Sequence, residues 1–381
     1  MKKRGKMKKK VYADNAATTQ MDLDVFNMMK PYLLAEYGNA SQPYSFSKIN
    51  KLGLEKARKI IASCINAKAS EIYFTSGGTE SDNWALKGTM FSSSIRKTLI
   101  TSKIEHHAIL KSSDSLEKKG YSVVKLDVLK DGEVDLDNLK RNITKETHLV
   151  SIMLANNEIG TIQPIKELAK IAHINGALFH TDAVQAMGHI PIDVKELDVD
   201  LLSASAHKFN GPKGIGFLYI KEGVDIEPYL DGGSQENSMR AGTENVAAII
   251  GMAYALQNNC QHMESNISHL NNLSKIIIDK IAENSKIDCI RNGSKNYLPG
   301  LISLSFLDFD GEAILHRLDL RGISISTGSA CDSMNTNISH VLEAIGLEKS
   351  YAKGTIRISL GKNNTIEDAN YIVDEIIKIL I

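Results

Sequence analysis

The sequence predicts an α/β fold, a mostly parallel seven-stranded sheet covered by helices, with a smaller α+β domain after it. Three observations carry this. Short apolar runs of strand length alternate with longer amphipathic stretches as far as Ile220. Polar clusters follow directly on those runs, where the carboxyl ends of parallel strands place their sites. From about Ala247 the pattern changes to long helices with few strands. Strands separated by helices form parallel sheets with both faces covered.

The strands are expected at Glu71–Thr75, Lys97–Thr101, Tyr121–Leu126, His148–Leu154, Ala177–Thr181, Leu201–Ala204 and Gly216–Ile220. A helix is expected from Thr79 and another over Leu110–Lys118. Long helices occupy Ala247–Ser285, then strands at Leu301–Phe306 and Thr355–Leu360 precede a last helix from Ile366.

The 381 residues are enough for one large domain and a smaller one. The balance of 43% hydrophobic and 24% charged residues is that of an ordinary globular chain. A formal net charge of zero gives no global reason for direct nucleic-acid binding. The one basic cluster, Lys2 to Lys10, reads as a solvated tail; the polar Asp14-Asn15 that follows is not a signal peptide's apolar stretch. No run has the length of a membrane helix. These features place the protein in the cytoplasm, away from membranes. The four cysteines form no C-x-x-C pair, so neither zinc nor a disulfide framework is expected, and no metal site is assigned. Cys64, Cys260 and Cys289 read as small buried hydrophobes.

Lys208 follows an apolar strand and precedes Asn210-Gly211-Pro212-Lys213-Gly214. A lysine partly removed from water becomes a nucleophile toward carbonyls, although a solvated loop lysine has the same local sequence. Asp182, just past a strand, can hold a ring nitrogen protonated or cap a helix. Thr75-Ser76-Gly77-Gly78-Thr79 joins a strand to a helix and can present backbone N–H groups to a phosphate, or be a plain capped turn. His106 and His107 can stack on a ring or move protons. Asn156 and Asn157 carry amides able to donate to a ring oxygen or a carboxylate. Arg357, among alternating apolar neighbours, suits bidentate capture of a carboxylate or a structural ion pair. Cys331 lies in Gly328-Ser329-Ala330-Cys331-Asp332-Ser333, a stretch of turn formers where a thiol is accessible.

Taken in order, these motifs resemble the cysteine desulfurases of the NifS/IscS type, within the class V aminotransferase family. The resemblance runs from Val11-Tyr12-Ala13-Asp14-Asn15-Ala16-Ala17-Thr18-Thr19 to the final helix. It rests on Thr75–Asn83, Glu105-His106, Asn156–Gly160, Asp182-Ala183-Val184-Gln185, His207-Lys208, Arg240-Ala241-Gly242-Thr243 and Gly328–Cys331. It implies the fold type I of enzymes that use pyridoxal 5'-phosphate (PLP), with a large PLP-binding domain over 18–255. It implies a small domain made of 11–17 and 256–381, and leaves 1–10 as the basic tail.

The resemblance also implies roles. Lys208 would hold PLP as a Schiff base and shuttle protons, Asp182 would pair with the ring nitrogen, and His106 would stack on the ring. Asn157 and Gln185 would touch the ring and its oxygen. Gly78, Thr79, Ser205 and His207 would bind phosphate, with Thr243 reaching in from the second subunit of a homodimer. Arg357, helped by Asn157, would grip the substrate carboxylate. L-cysteine would yield L-alanine, with its sulfur taken by Cys331 as a persulfide for an acceptor protein, an iron–sulfur scaffold or a tRNA-thiolation enzyme. The segment after Cys331 resembles that of the long-loop group, which passes sulfur directly to acceptors. The end at Ile381, soon after the last helix, counts against docking a scaffold through a long C-terminal tail. Three departures, Ala40, Tyr44 and Asn237, fall in stretches tied to substrate access or partner contact. The alternative is a selenocysteine lyase or another class V PLP lyase or aminotransferase.

Overall fold

The computed structural model describes residues 9–327 and 338–381. Its strands are β1 (Val11–Tyr12), β2 (Ile72–Thr75), β3 (Thr98–Ser102), β4 (Ser122–Leu126), β5 (Thr147–Ser151), β6 (Leu178–Asp182), β7 (Leu201–Ser205), β8 (Gly216–Ile220), β9 (Cys289–Arg291), β10 (Leu301–Phe306), β11 (Ile323–Ser324) and β12 (Thr355–Ser359). The helices that position the site are α1 (Leu23–Leu34), α2 (Lys48–Cys64), α3 (Gly78–Ser92), α4 (His107–Glu117), α5 (Leu136–Asn142), α6 (Ile165–Ile174), α7 (Val194–Leu197), α8 (Val246–Gln261), α9 (Met263–Ala282) and α10 (Gly311–Asp319). A last helix spans Ile366–Leu380.

The central sheet has seven strands in the order β2-β8-β7-β6-β5-β3-β4. The five strands from β7 to β4 run parallel, while β8 and then β2 are antiparallel to their neighbours. This is the mostly parallel sheet expected from the sequence. Its apolar strands are buried on both faces: β7 and β8 have no exposed residue. A three-stranded antiparallel sheet, β12-β10-β9, has its own core, which includes Phe306, Ile356, Ile358, Ile372 and Ile376. Val11 and Ala13 belong to that second core, because β1 pairs in parallel with β11.

Several boundaries differ from expectation for identifiable reasons. β5 ends at Ser151 rather than Leu154, since Met153 N–H turns from the ladder to the Glu105 carboxylate at 3.0 Å. Helix α4 begins at His107, three residues early, because His106 Nδ1 caps it by accepting from Ala108 N–H at 3.1 Å. A histidine cap lies outside the Ser/Thr/Asp/Asn signal used to locate helix starts. The basic tail is not wholly solvated: Lys9 pairs with Asp368 at 2.7 Å. Cys64, Cys260 and Cys289 are half-buried rather than buried, since they lie near helix ends or on the short strand β9. Cys64 and Cys260, far apart in sequence, come into side-chain contact. No helix among the described residues is long and apolar enough to cross a membrane.

Trp84 anchors α3 on the sheet. It is fully buried, stacks edge-on against Tyr73 of β2 at 5.6 Å, and its indole N–H donates to Glu227 O at 3.0 Å. Because α3 carries Gly78 and Thr79 at its start, the position of the site depends on this contact. Trp84→Ala removes the ring and orphans the Glu227 carbonyl, and should cost about 3–5 kcal/mol. Urea unfolding followed by circular dichroism checks this; a loss below about 1 kcal/mol would contradict the anchoring role.

Candidate active site

The carboxyl ends of the parallel strands open into a cavity of about 640 Å³. Its lining includes Gly78, Thr79, His106, Asn157, Asp182, Gln185, Ser205, His207, Lys208 and Arg357. Every residue that the resemblance assigns to the site and that lies among the described residues is there except Thr243; the candidate amide of Asn156 is not. Thr243 lies instead in a smaller neighbouring cavity of about 150 Å³, with Ser76, Arg240 and Gly242. Cys331 lies outside the described residues.

Each side chain owes its place to a strand end. Lys208 ends the turn Ala206–Lys208 that follows β7, and its ammonium donates to Ala16 O at 2.7 Å and Ala17 O at 2.8 Å. Gln185 Nε2 donates to the same Ala16 carbonyl at 2.9 Å. These N-terminal carbonyls were given no role in the sequence reading. The Asp14–Asn15–Ala16 stretch reaches the site because Asn15 N–H and Ser359 N–H tie it to β12.

Asp182 ends β6 and is buried, with Val184 N–H donating to Oδ1 at 2.9 Å. Burial pushes its carboxyl up to about 6, against the pull of Val184 N–H and the Lys208 charge. Behind it lies a second buried carboxylate, Asp82 on α3. Oxygens of Asp82 and Asp182 and a ring nitrogen of His106 lie within 4.8 Å of one another. Burial first, then the Asp182 charge, raises Asp82 well above the carboxylate range. His180 backs this pair, sharing hydrogen bonds with Ser151 at 2.8 Å and Ser203 at 2.9 Å, and burial drops it to about 3. Asp82 and His180 escaped sequence reasoning. Asp82 sits inside the Thr75–Asn83 motif and would have been found by the helical spacing that turns it under Gly78.

His106 is held by its own capping bond, so Nδ1 is an acceptor. Burial lowers it to about 4, aided by the Lys208 charge and by His107 and His340. His207 is likewise brought to about 4, by burial and then by Lys208 and Lys213. Both rings are neutral at physiological pH. The two neighbouring asparagines separate in role. Asn156 is buried and structural, donating to Ile104 O at 2.9 Å and accepting from Glu158 and Ile159 N–H. Asn157 faces the cavity, and its carbonyl accepts from Arg357 at 3.0 Å. Arg357 is buried on β12 and paired with Asp14 at 2.8 Å, and its Nε hydrogen has no partner among the described residues.

The same cavity is lined by the start of α3, Gly78, with Gly77 as the N-cap before it. A Cβ at Gly78 would meet Val184 Cγ2 at 2.6 Å, so only glycine lets the helix start come this close to Ser205 and Val184. The first amides of a helix have no intrahelical acceptor and carry its positive dipole end, which suits an anion.

This arrangement defines a class. Residues 11–372 match the family model Aminotransferase class-V, and the chain belongs to that family of PLP-dependent enzymes. It is 50% identical over 376 residues, covering 98% of this chain and 95% of the relative, to a cysteine desulfurase IscS of Dictyoglomus turgidum. It is 46% identical over 379 residues to a cysteine desulfurase IscS of Clostridium botulinum, covering 98% and 95%. A solved NifS-like protein superposes with a TM-score of 0.92 at 37% identity, covering 98% of this chain and 99% of that one.

The His106 environment gives a direct check. At about pH 5.5 an ordinary imidazole is mostly protonated. His106 should still give the NMR signature of a neutral ring and change only near pH 4. Lys208→Gln removes a neighbouring positive charge and should move that midpoint upward. A protonated ring at pH 5.5 in the unsubstituted protein would contradict the described burial.

Proposed function

We propose that this chain is a PLP-dependent cysteine desulfurase that converts L-cysteine to L-alanine and passes the sulfur to Cys331 as a persulfide. The observation that carries the reading is Lys208 and Asp182 facing one cavity that the glycine-started N-terminus of α3 also lines. The donor set fits PLP. A buried carboxylate that has, among the described residues, one backbone donor is what a protonated ring nitrogen neutralises. The helix start, with Thr79, Ser205 and His207, fits a phosphate. The Nε hydrogen of Arg357, without a partner among the described residues, leaves donor capacity for a substrate carboxylate.

PLP, when bound, supplies an electron sink for charge developing at the substrate carbons. Lys208 would link to it and move a proton at Nζ, released from the Ala16 and Ala17 carbonyls that now hold it. His106, neutral and fixed by its cap, would stack on the ring without adding positive charge. Gln185 and Asn157 would orient it from either side. The Cys331 thiolate would attack the substrate sulfur; the carbon–sulfur bond breaks, and alanine leaves. The persulfide would then pass to the thiol of an acceptor protein that serves iron–sulfur assembly or tRNA thiolation. In this reading 18–255 hold the cofactor, and 11–17 with 256–381 supply Arg357 and its ties.

A homodimer completes the reading, with Thr243 contributed across the interface. Leu23, Phe26, Leu33, Leu34 and Tyr37, on and just after α1, are exposed apolar side chains, and a second copy would cover them. Light scattering should give twice the chain mass; an active monomer would exclude the cross-subunit role of Thr243.

Two substitutions separate the steps. After borohydride reduction of the PLP-loaded protein, peptide mapping should place the PLP mass on Lys208, and Lys208→Ala should lose it. Cys331→Ala should keep that adduct but stop alanine formation from L-cysteine. An adduct on another lysine would overturn the Lys208 assignment, and continued turnover in Cys331→Ala would overturn the persulfide route.

A further inference from the structure

Two cysteines outside the cavity meet behind the Lys208 turn. Cys64 is the last residue of α2, and Cys260 lies in the final turn of α8. The two helices pack along one another, and both thiols adjoin at the wall of one cavity. Both are half-buried and line a cavity of about 450 Å³ together with Met187, Gly188, Ile190 and Met263. That volume is within the range of small-molecule sites.

The cavity wall is joined to the active site by short links. His189, between Gly188 and Ile190, hydrogen-bonds the Lys208 carbonyl at 2.8 Å. Asn259, adjacent to Cys260, donates to the Phe209 carbonyl at 2.8 Å. Gly188 packs so closely that a Cβ there would lie 2.9 Å from Phe209 Cβ.

The pair also has the chemistry of a dithiol. The contact with Cys260, then burial, raises the Cys64 thiol, while the same contact brings Cys260 down. The lowered thiol of Cys260 favours it as the attacking thiolate. Cys289 is the contrast: burial pushes it up to about 12.

We propose that Cys64 and Cys260 form a thiol–disulfide exchange site for low-molecular-weight disulfides of the cystine class, closing to an intramolecular disulfide that braces α2 against α8 behind Lys208. The Cys260 thiolate attacks one sulfur of the small disulfide. One small thiol leaves and a mixed disulfide remains on Cys260. Cys64 loses its proton and attacks the Cys260 sulfur, expelling the second small thiol. Two protein thiols are oxidised to one disulfide, the small disulfide is reduced to two thiols, and the protons from Cys64 and Cys260 end on the leaving groups. The proposal does not rest on the desulfurase reading, since neither cysteine faces the PLP cavity.

The test is peptide mapping of the full chain after anaerobic incubation with cystine, acid quenching and alkylation of remaining thiols, without reduction. The same map is made on Cys331→Ser to remove any contribution from that thiol. The expected product is a Cys64–Cys260 cross-link in both proteins, with Cys289 alkylated as a free thiol. Cys64→Ser should stop at one half-cystine on Cys260, and Cys260→Ser should leave Cys64 alkylated. Cross-links to other cysteines, a stable mixed disulfide without closure in the unsubstituted protein, or both thiols alkylated as fully as Cys289 would each overturn the proposal. The map of the unsubstituted protein decides the matter even where a variant fails to fold.

Discussion

A carboxylate shut away from water is unfavourable unless donors or a cation meet it. Asp182, at the end of β6, has Val184 N–H as its backbone donor and the Lys208 charge nearby. Much of the site follows from this. Asp82, beside it, is driven toward its neutral form by its own burial and then by the neighbouring Asp182 charge. His180 behind them stays neutral through burial and is satisfied by two serine hydroxyls. The space in front of Asp182 therefore favours a cationic ring nitrogen, the partner that the proposed cofactor supplies.

The second constraint is the N-terminal segment. It begins beside β11 in the smaller core, crosses β12, and ends with the Ala16 and Ala17 carbonyls on the Lys208 ammonium. Its Asp14 also holds Arg357. One short stretch thus sets both the proposed cofactor lysine and the proposed substrate arginine, although the two come from different sheets. A shift of this segment would move both ends of the site together.

Much of the sheet was legible because strands buried on both faces leave continuous apolar runs, and Gly216–Ile220 and Leu301–Phe306 coincide with β8 and β10. Boundaries failed where a side chain replaced backbone signals, as with the His106 cap and the Glu105 carboxylate that takes Met153 N–H. The cavity residues were legible through ordered motifs, since no single one of them was decisive. The site's rear layer was not. Asp82 meets Asp182, and His180 meets Asp82, only across the folded structure, and the Ala16 and Ala17 contributions are backbone carbonyls with no residue signature. The Cys64–Cys260 contact was missed for a similar reason: spacing along the chain does not reveal two helix ends that meet.

The most direct measurement is the fate of sulfur. The PLP-loaded protein, given L-cysteine alone, is assayed for alanine and weighed intact without reductant. The account predicts alanine together with a mass gain of one sulfur atom that maps to Cys331 and vanishes on reduction. Alanine without added mass at Cys331, or neither product from a protein that holds PLP on Lys208, would contradict it.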